Sequence, residues 1–124
     1  MKATALSALV LLLAAGPLRA DPPDGVERIE KDGGKVRRAG DGPGAPVVVV
    51  WMPEGTTDAD LAGLCELRSL RALYLGGSHV TDAGLARVAE LRGLRELNLL
   101  GCPGVTAEGA ARLRKALPGC EVYR

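Results

Sequence analysis

The stretch that decides the fold is written twice. Leu70-Arg71-Ala72-Leu73-Tyr74-Leu75-Gly76-Gly77-Ser78-His79-Val80-Thr81-Asp82-Ala83-Gly84-Leu85 is followed by Leu94-Arg95-Glu96-Leu97-Asn98-Leu99-Leu100-Gly101-Cys102-Pro103-Gly104-Val105-Thr106-Ala107-Glu108-Gly109-Ala110. The copies lie 24 residues apart at Leu70/Leu94 and 25 apart at Thr81/Thr106. Self-similarity at a period of roughly 20–29 residues marks stacked supersecondary units. Leu73 and Leu75, two apart, point to one side of a short strand. The glycines after them turn the chain, and Val80 or Val105 anchors the turn inward. Thr81 and Thr106 sit where a helix begins and can accept from first-turn N–H groups. Leu85, Val88 and Leu91, spaced by three, form one apolar stripe facing the strand, with Arg87, Glu90 and Arg92 off it.

Outward from this pair the pattern continues in both directions. Val47-Val48-Val49-Val50-Trp51, bounded by Pro46 and Pro53, reads as a buried strand. With a constant offset of 24, Val49 matches Leu73, Trp51 matches Leu75, and Thr57-Asp58 matches Thr81-Asp82. Leu61, Leu64, Leu67 and Leu70 match Leu85, Val88, Leu91 and Leu94. The array therefore starts near Pro46. Thr57, three before Asp60, resembles a capping box with Asp in place of Glu, and Asp58, Asp60, Asp82 and Glu108 suit the start of a helix. Upstream, Asp24 can cap a helix over about Gly25–Lys31 with Val26 and Ile29 on one face, and Lys35–Arg38 can form a strand. The Gly- and Pro-containing stretch 39–46 is a loop. Downstream, Cys120–Tyr123 reads as a final edge strand with Cys120 and Val122 inward. No unit can bury its apolar face alone, so the units fold together.

The first residues have another purpose. Met1-Lys2, the apolar run Ala3–Ala15, the break at Gly16-Pro17 and the small residue Ala20 have the layout of a secretory signal peptide. The division expected is 1–20 signal peptide, 21–45 N-terminal cap and loop, and 46–124 repeat array with a C-terminal cap. Localisation outside the cytoplasm, secreted or periplasmic, follows from the leader. Removing Lys2 and Arg19 leaves 14 basic side chains of 16, against 15 acidic ones, a net charge of about −1. That balance favours neither nucleic acid nor an anionic membrane as partner. With no Phe, one Trp and two Tyr, the core must be aliphatic. Cys65, Cys102 and Cys120 are an odd number and a poor disulfide framework. They read as small apolar core residues.

These residues resemble leucine-rich repeats with a Val-Thr-Asp-x-Gly-Leu helix start, which are plentiful in secreted and surface proteins of some bacteria. They are similar to the cysteine-containing, ribonuclease-inhibitor-like repeats of F-box proteins, nearest at Leu97-Asn98-Leu99 with Cys102 and Val105-Thr106. Ala116-Leu117-Pro118-Gly119-Cys120 resembles the closing segment of short bacterial members. Ile29–Val36 looks like the cap that often precedes such arrays. The resemblance implies an α/β right-handed solenoid, a short horseshoe segment with parallel strands on the concave face and helices on the convex face. Such a surface typically binds another macromolecule. Nothing of F-box length precedes the repeats, so an adaptor role by similarity to F-box proteins ranks below a plain binding role.

No catalytic constellation is legible. His79 is the sole histidine, and its neighbour Ser78 does not become a nucleophile by adjacency. The three cysteines lack metal-ligand spacing. The glycines match no phosphate-binding loop. The expectation is a non-enzymatic module without cofactor or metal that binds a protein partner. The residues alternating with the core leucines should present the binding face: Val48, Val50, Ala72, Tyr74, Glu96 and Asn98, extended by Leu100 and the loop-proximal Met52 and Gly76. Tyr74, with a large apolar body and a polar tip, is its anchor. A self-associating envelope protein, pairing through open strand edges, is the alternative.

Overall fold

The computed structural model describes residues 23–40 and 45–124. The expected signal peptide 1–20 and the middle of the 39–46 loop lie outside them, as do the side chains of Asp24 and Cys65, so the Asp24 cap and the packing of Cys65 stay expectations. Helix α1 (Pro23–Lys31) leads into strand β1 (Lys35–Arg38), then β2 (Val47–Trp51), a 3₁₀ helix (Asp58–Glu66), β3 (Ala72–Tyr74), α2 (Asp82–Val88), β4 (Glu96–Asn98), α3 (Ala107–Ala116) and β5 (Glu121–Tyr123). The architecture is α/β with one open, mixed five-stranded sheet in the order β1-β2-β3-β4-β5. β1 runs antiparallel to β2, and the remaining pairs are parallel. Each parallel crossover carries one helical segment. Among the described residues no helix is long and apolar enough to cross a membrane.

The core lies between one face of the sheet and the helical layer. Val47, Val50, Met52, Leu73, Leu75, Leu97 and Leu99 from the sheet side join Leu61, Leu64, Leu85, Val88 and Leu113 from the helices in a single buried cluster. Val26 and Ile29 of α1 belong to it as well. The first helical segment is 3₁₀ rather than α, and its leucines fit that choice. Leu61 and Leu64, three apart, eclipse along one edge at three residues per turn, and Leu67 just past the end of the segment is buried with them.

The register of the first unit differs from the constant offset. β2 pairs Val50 with Leu73 and Trp51 with Tyr74. Met52 N–H donates to Tyr74 O (3.0 Å), as Leu75 N–H does to Asn98 O (2.8 Å) and Leu99 N–H to Tyr123 O (2.6 Å). Val50, not Val49, therefore occupies the Leu73 position, and Met52, not Trp51, occupies that of Leu75. The path from Trp51 to Thr57 is one residue shorter than that from Tyr74 to Thr81. A gap-free alignment of the two units cannot show this. An irregularity adds to the shift: Arg37 pairs with Val49 and Arg38 with Val47, so Val48 is the extra residue of a bulge. Val48 and Val49 consequently face the same way.

Successive units are stitched together at their helix starts. The Asp58 carboxylate accepts from Thr81 N–H (2.7 Å) and from the Thr81 hydroxyl. The Asp82 carboxylate accepts from Thr106 N–H (3.0 Å) and the Thr106 hydroxyl (2.6 Å). These aspartates open their own helical segments, as expected, and their carboxylates reach across to the next unit. Thr106 Oγ1 does act as a local cap, accepting from Gly109 N–H (3.0 Å). The helical glycines follow from the stitch. A Cβ on Gly84 would lie 2.2 Å from Asp58 Oδ1, and one on Gly109 would lie 2.0 Å from Asp82 Oδ1. The ends of the ladder are marked too. Asp60 stands where Gly84 and Gly109 stand. With no aspartate of an earlier unit to serve Thr57, it accepts from Thr57 N–H itself (3.0 Å). Ala107 stands where the bridging Asp58 and Asp82 stand.

Candidate functional site

The face of the sheet turned away from the helices is ordered into two rows by the strand register. One row runs Lys35, Trp51, Tyr74, Asn98, Tyr123. The other runs Arg37, Val49, Ala72, Glu96, Glu121. Residues directly paired across strands share a face and touch.

The first row is aromatic at its centre. The Trp51 and Tyr74 rings stack with centroids 5.6 Å apart and planes 9° from parallel. Below them Val48, Val49 and Ala72 form a second, smaller apolar cluster, against which Ala39 packs as well. The β1 end of the row opens into a pocket lined in part by Lys35, Trp51, Met52 and Pro53.

The far end of the face is acidic and held by tyrosines. Tyr74 OH donates to Glu96 Oε2 (2.9 Å), and Tyr123 OH donates to Glu121 Oε2 (2.6 Å). Burial, then the bond to Glu96, pushes the Tyr74 phenol up to about 12. The Tyr123 phenol is raised chiefly by its bond to Glu121. Both phenols thus remain donors at neutral pH, and each orients one carboxylate. Asn98 is committed locally, since its Oδ1 accepts from Leu100 N–H (2.9 Å). The Leu100 side chain that follows is 53 % exposed.

Of the residues expected on this face, Tyr74, Glu96 and Asn98 are there, half-buried, with Leu100 beside them. Ala72 and Val48 lie on it as well, but buried. Val50 does not: it is inside the main core. Met52 is likewise a core residue rather than an extension of the face. The expectation missed Trp51, placed inward by the constant offset, and Lys35 and Arg37, which only the β1–β2 pairing brings to the face. Glu121 and Tyr123 were also missed, although Cys120 and Val122 pointing inward already implied that their neighbours point out.

The side chains weighed for chemistry are not assembled for it. Ser78 is fully buried with Oγ 3.4 Å from Cys102 Sγ, whereas His79 is exposed. Cys102 and Cys120 are buried free thiols, and the Cys102 thiol donates to Leu75 O (3.0 Å). Burial pushes the Cys120 thiol up to about 11. Among the described residues no group of three or more His, Cys, Asp or Glu is placed to hold a metal ion. No family model matches the chain, and no curated protein matches it.

Proposed function

We propose that the chain is a short leucine-rich repeat module, a right-handed solenoid segment with its strands on the concave side, acting outside the cytoplasm. Its role is non-enzymatic: it binds a protein partner through the outer face of the sheet. The observation that supports this most is the row Trp51, Tyr74, Asn98, Tyr123, in which aromatic bodies with polar tips stand on the one sheet face that the helices leave uncovered. Tyrosine and tryptophan supply contact area with few torsions to freeze, which is why they dominate binding hot spots. The solenoid reading is supported by the bridging aspartates, which repeat the same contact from one unit to the next.

The test is recovery of partners from cell-envelope extract with wild type, Tyr74→Ala and Asn98→Ala. Loss of a partner with Tyr74→Ala is expected, and unchanged recovery of every partner with both variants refutes the face as the binding site. The competing reading, self-association through strand edges, draws on the positions of β1 and β5 at the two ends of the sheet. Light scattering over a concentration series separates the two, since a strict monomer eliminates edge pairing.

A further inference from the structure

The charges on the outer face are segregated. Lys35 and Arg37 sit on β1, whereas Glu96 and Glu121 sit on β4 and β5. The outward positions of β3, β4 and β5 (Ala72, Tyr74, Glu96, Asn98, Glu121, Tyr123) hold no basic residue. Strands lie about 4.8 Å apart, so β1 is about 14 Å from β4 and about 19 Å from β5. The screening length at physiological salt is about 8 Å. The basic and acidic ends therefore do not neutralise each other. Glu96 and Glu121 are moreover direct cross-strand partners, an arrangement that is unfavourable for like charges. Each end calls for an opposite charge from outside, and between them lies the Trp51–Tyr74 stack.

The size of the face selects the kind of partner. Five strands of about three residues each present on the order of 200 Å². That is far below the roughly 800 Å² per partner of a standard interface between folded proteins. A span of about 19 Å does match about six residues of extended chain.

Resting on the binding role proposed above, we infer that this face takes an extended peptide segment laid across the strands. Its acidic residues lie over Lys35 and Arg37, its apolar residues over Trp51 and Tyr74, and its basic residues over Glu96 and Glu121. The Tyr74 and Tyr123 hydroxyls hold the two carboxylates in place for the basic end.

The probes are three labelled hexapeptides sharing two central apolar residues. One carries two aspartates at one end and two arginines at the other, one is acidic at both ends, and one is basic at both ends. Binding to the full chain is read by fluorescence anisotropy, with circular dichroism confirming that each variant is folded. Wild type is expected to bind the dipolar peptide tightest, by about five-fold or more over either uniform one. Lys35→Glu with Arg37→Glu should shift the preference to the all-basic peptide. Glu96→Lys with Glu121→Lys should shift it to the all-acidic one. The same ranking in all three proteins, or no binding of any peptide, overturns the proposal. Self-association of wild type, with the two reversed variants pairing only with each other, identifies a second copy as the occupant and overturns it equally. An envelope partner lost in Tyr74→Ala without any peptide binding overturns this inference alone and leaves the binding role standing.

Discussion

Replacing Gly109 by alanine should destabilise the protein, and removing Asp82 should reverse the sign of that effect. In an ordinary helix the exchange is favourable by about 1 kcal/mol, because alanine restricts the unfolded chain and glycine does not. Here the new methyl would sit 2.0 Å from Asp82 Oδ1 and 2.3 Å from Asp82 Cγ. The carboxylate cannot swing aside without releasing Thr106 N–H and the Thr106 hydroxyl. Overpacking of this kind costs about 1–3 kcal/mol, and loss of the two Thr106 bonds adds to it, so the propensity gain is outweighed by roughly 1–2 kcal/mol. For a domain of this size that corresponds to a melting temperature lower by roughly 5–15 °C. In an Asp82→Ala background the three atoms nearest the added methyl, all of the Asp82 carboxylate, are gone, so Gly109→Ala should there raise the melting temperature by a few degrees. Thermal unfolding of the four proteins of this cycle gives the coupling directly. Gly55→Ala is the control, since its methyl would meet nothing within 4 Å. The same sign and size of the Gly109→Ala effect in both backgrounds would refute the idea that the aspartate dictates the glycine.

Other outcomes follow from burial and titration. Met52→Ala should cost about 2–5 kcal/mol in a denaturant titration, as should Leu97→Ala, because both side chains are in the core. Leu100→Ala, at 53 % exposure, should stay within about 0.5 kcal/mol. A small effect at Met52 would restore the constant-offset register and move Trp51 inward. Alkaline titration followed by phenolate absorbance should show Tyr74 ionising near pH 12, and Glu96→Gln should lower that value. The sign for stability follows. The folded phenol holds its proton more tightly than the unfolded one, so its contribution is complete below about pH 10 and is lost between there and about pH 12. Stability that rises over that interval would contradict the assignment. Alkylation of Cys102 and Cys120, located by peptide mapping, should be slow in the native protein and fast in denaturant, as both thiols are buried.

Most of the fold was legible in the sequence because it rests on spacing. Leu73 and Leu75, Leu97 and Leu99, and the three-residue stripe Leu85, Val88, Leu91 place themselves by period alone, and all of them are in the core. The Gly77 and Gly101 turns could be read for the same reason, and both residues adopt positive φ. What sequence could not deliver depends on contacts between units. Asp58 and Asp82 look like local caps, since a carboxylate beside a helix start fits that role equally well. Only the approach of the next unit decides between them. The outer face suffered most, since one missing residue between Trp51 and Thr57 reverses which side chains point out. Lys35 and Arg37 had no repeat partner from which their direction could be inferred.

The stitch between units has a consequence for how such a chain could grow or shrink. Each junction needs an aspartate on the earlier side and a threonine with a glycine three positions later on the other. The unit beginning at Thr81 carries Thr81 and Gly84 to receive and Asp82 to give. The unit at Thr57 gives through Asp58 but has Asp60 where reception requires a glycine, and the unit at Thr106 receives but has Ala107 where a giver is needed. A duplicated middle unit is therefore compatible on both sides and could be inserted any number of times. A duplicated first unit would meet its predecessor's aspartate with a second carboxylate, and a duplicated last unit would leave its successor's threonine unserved. Length in this protein is thus adjustable through one cassette, with the other two fixed as a left and a right terminus.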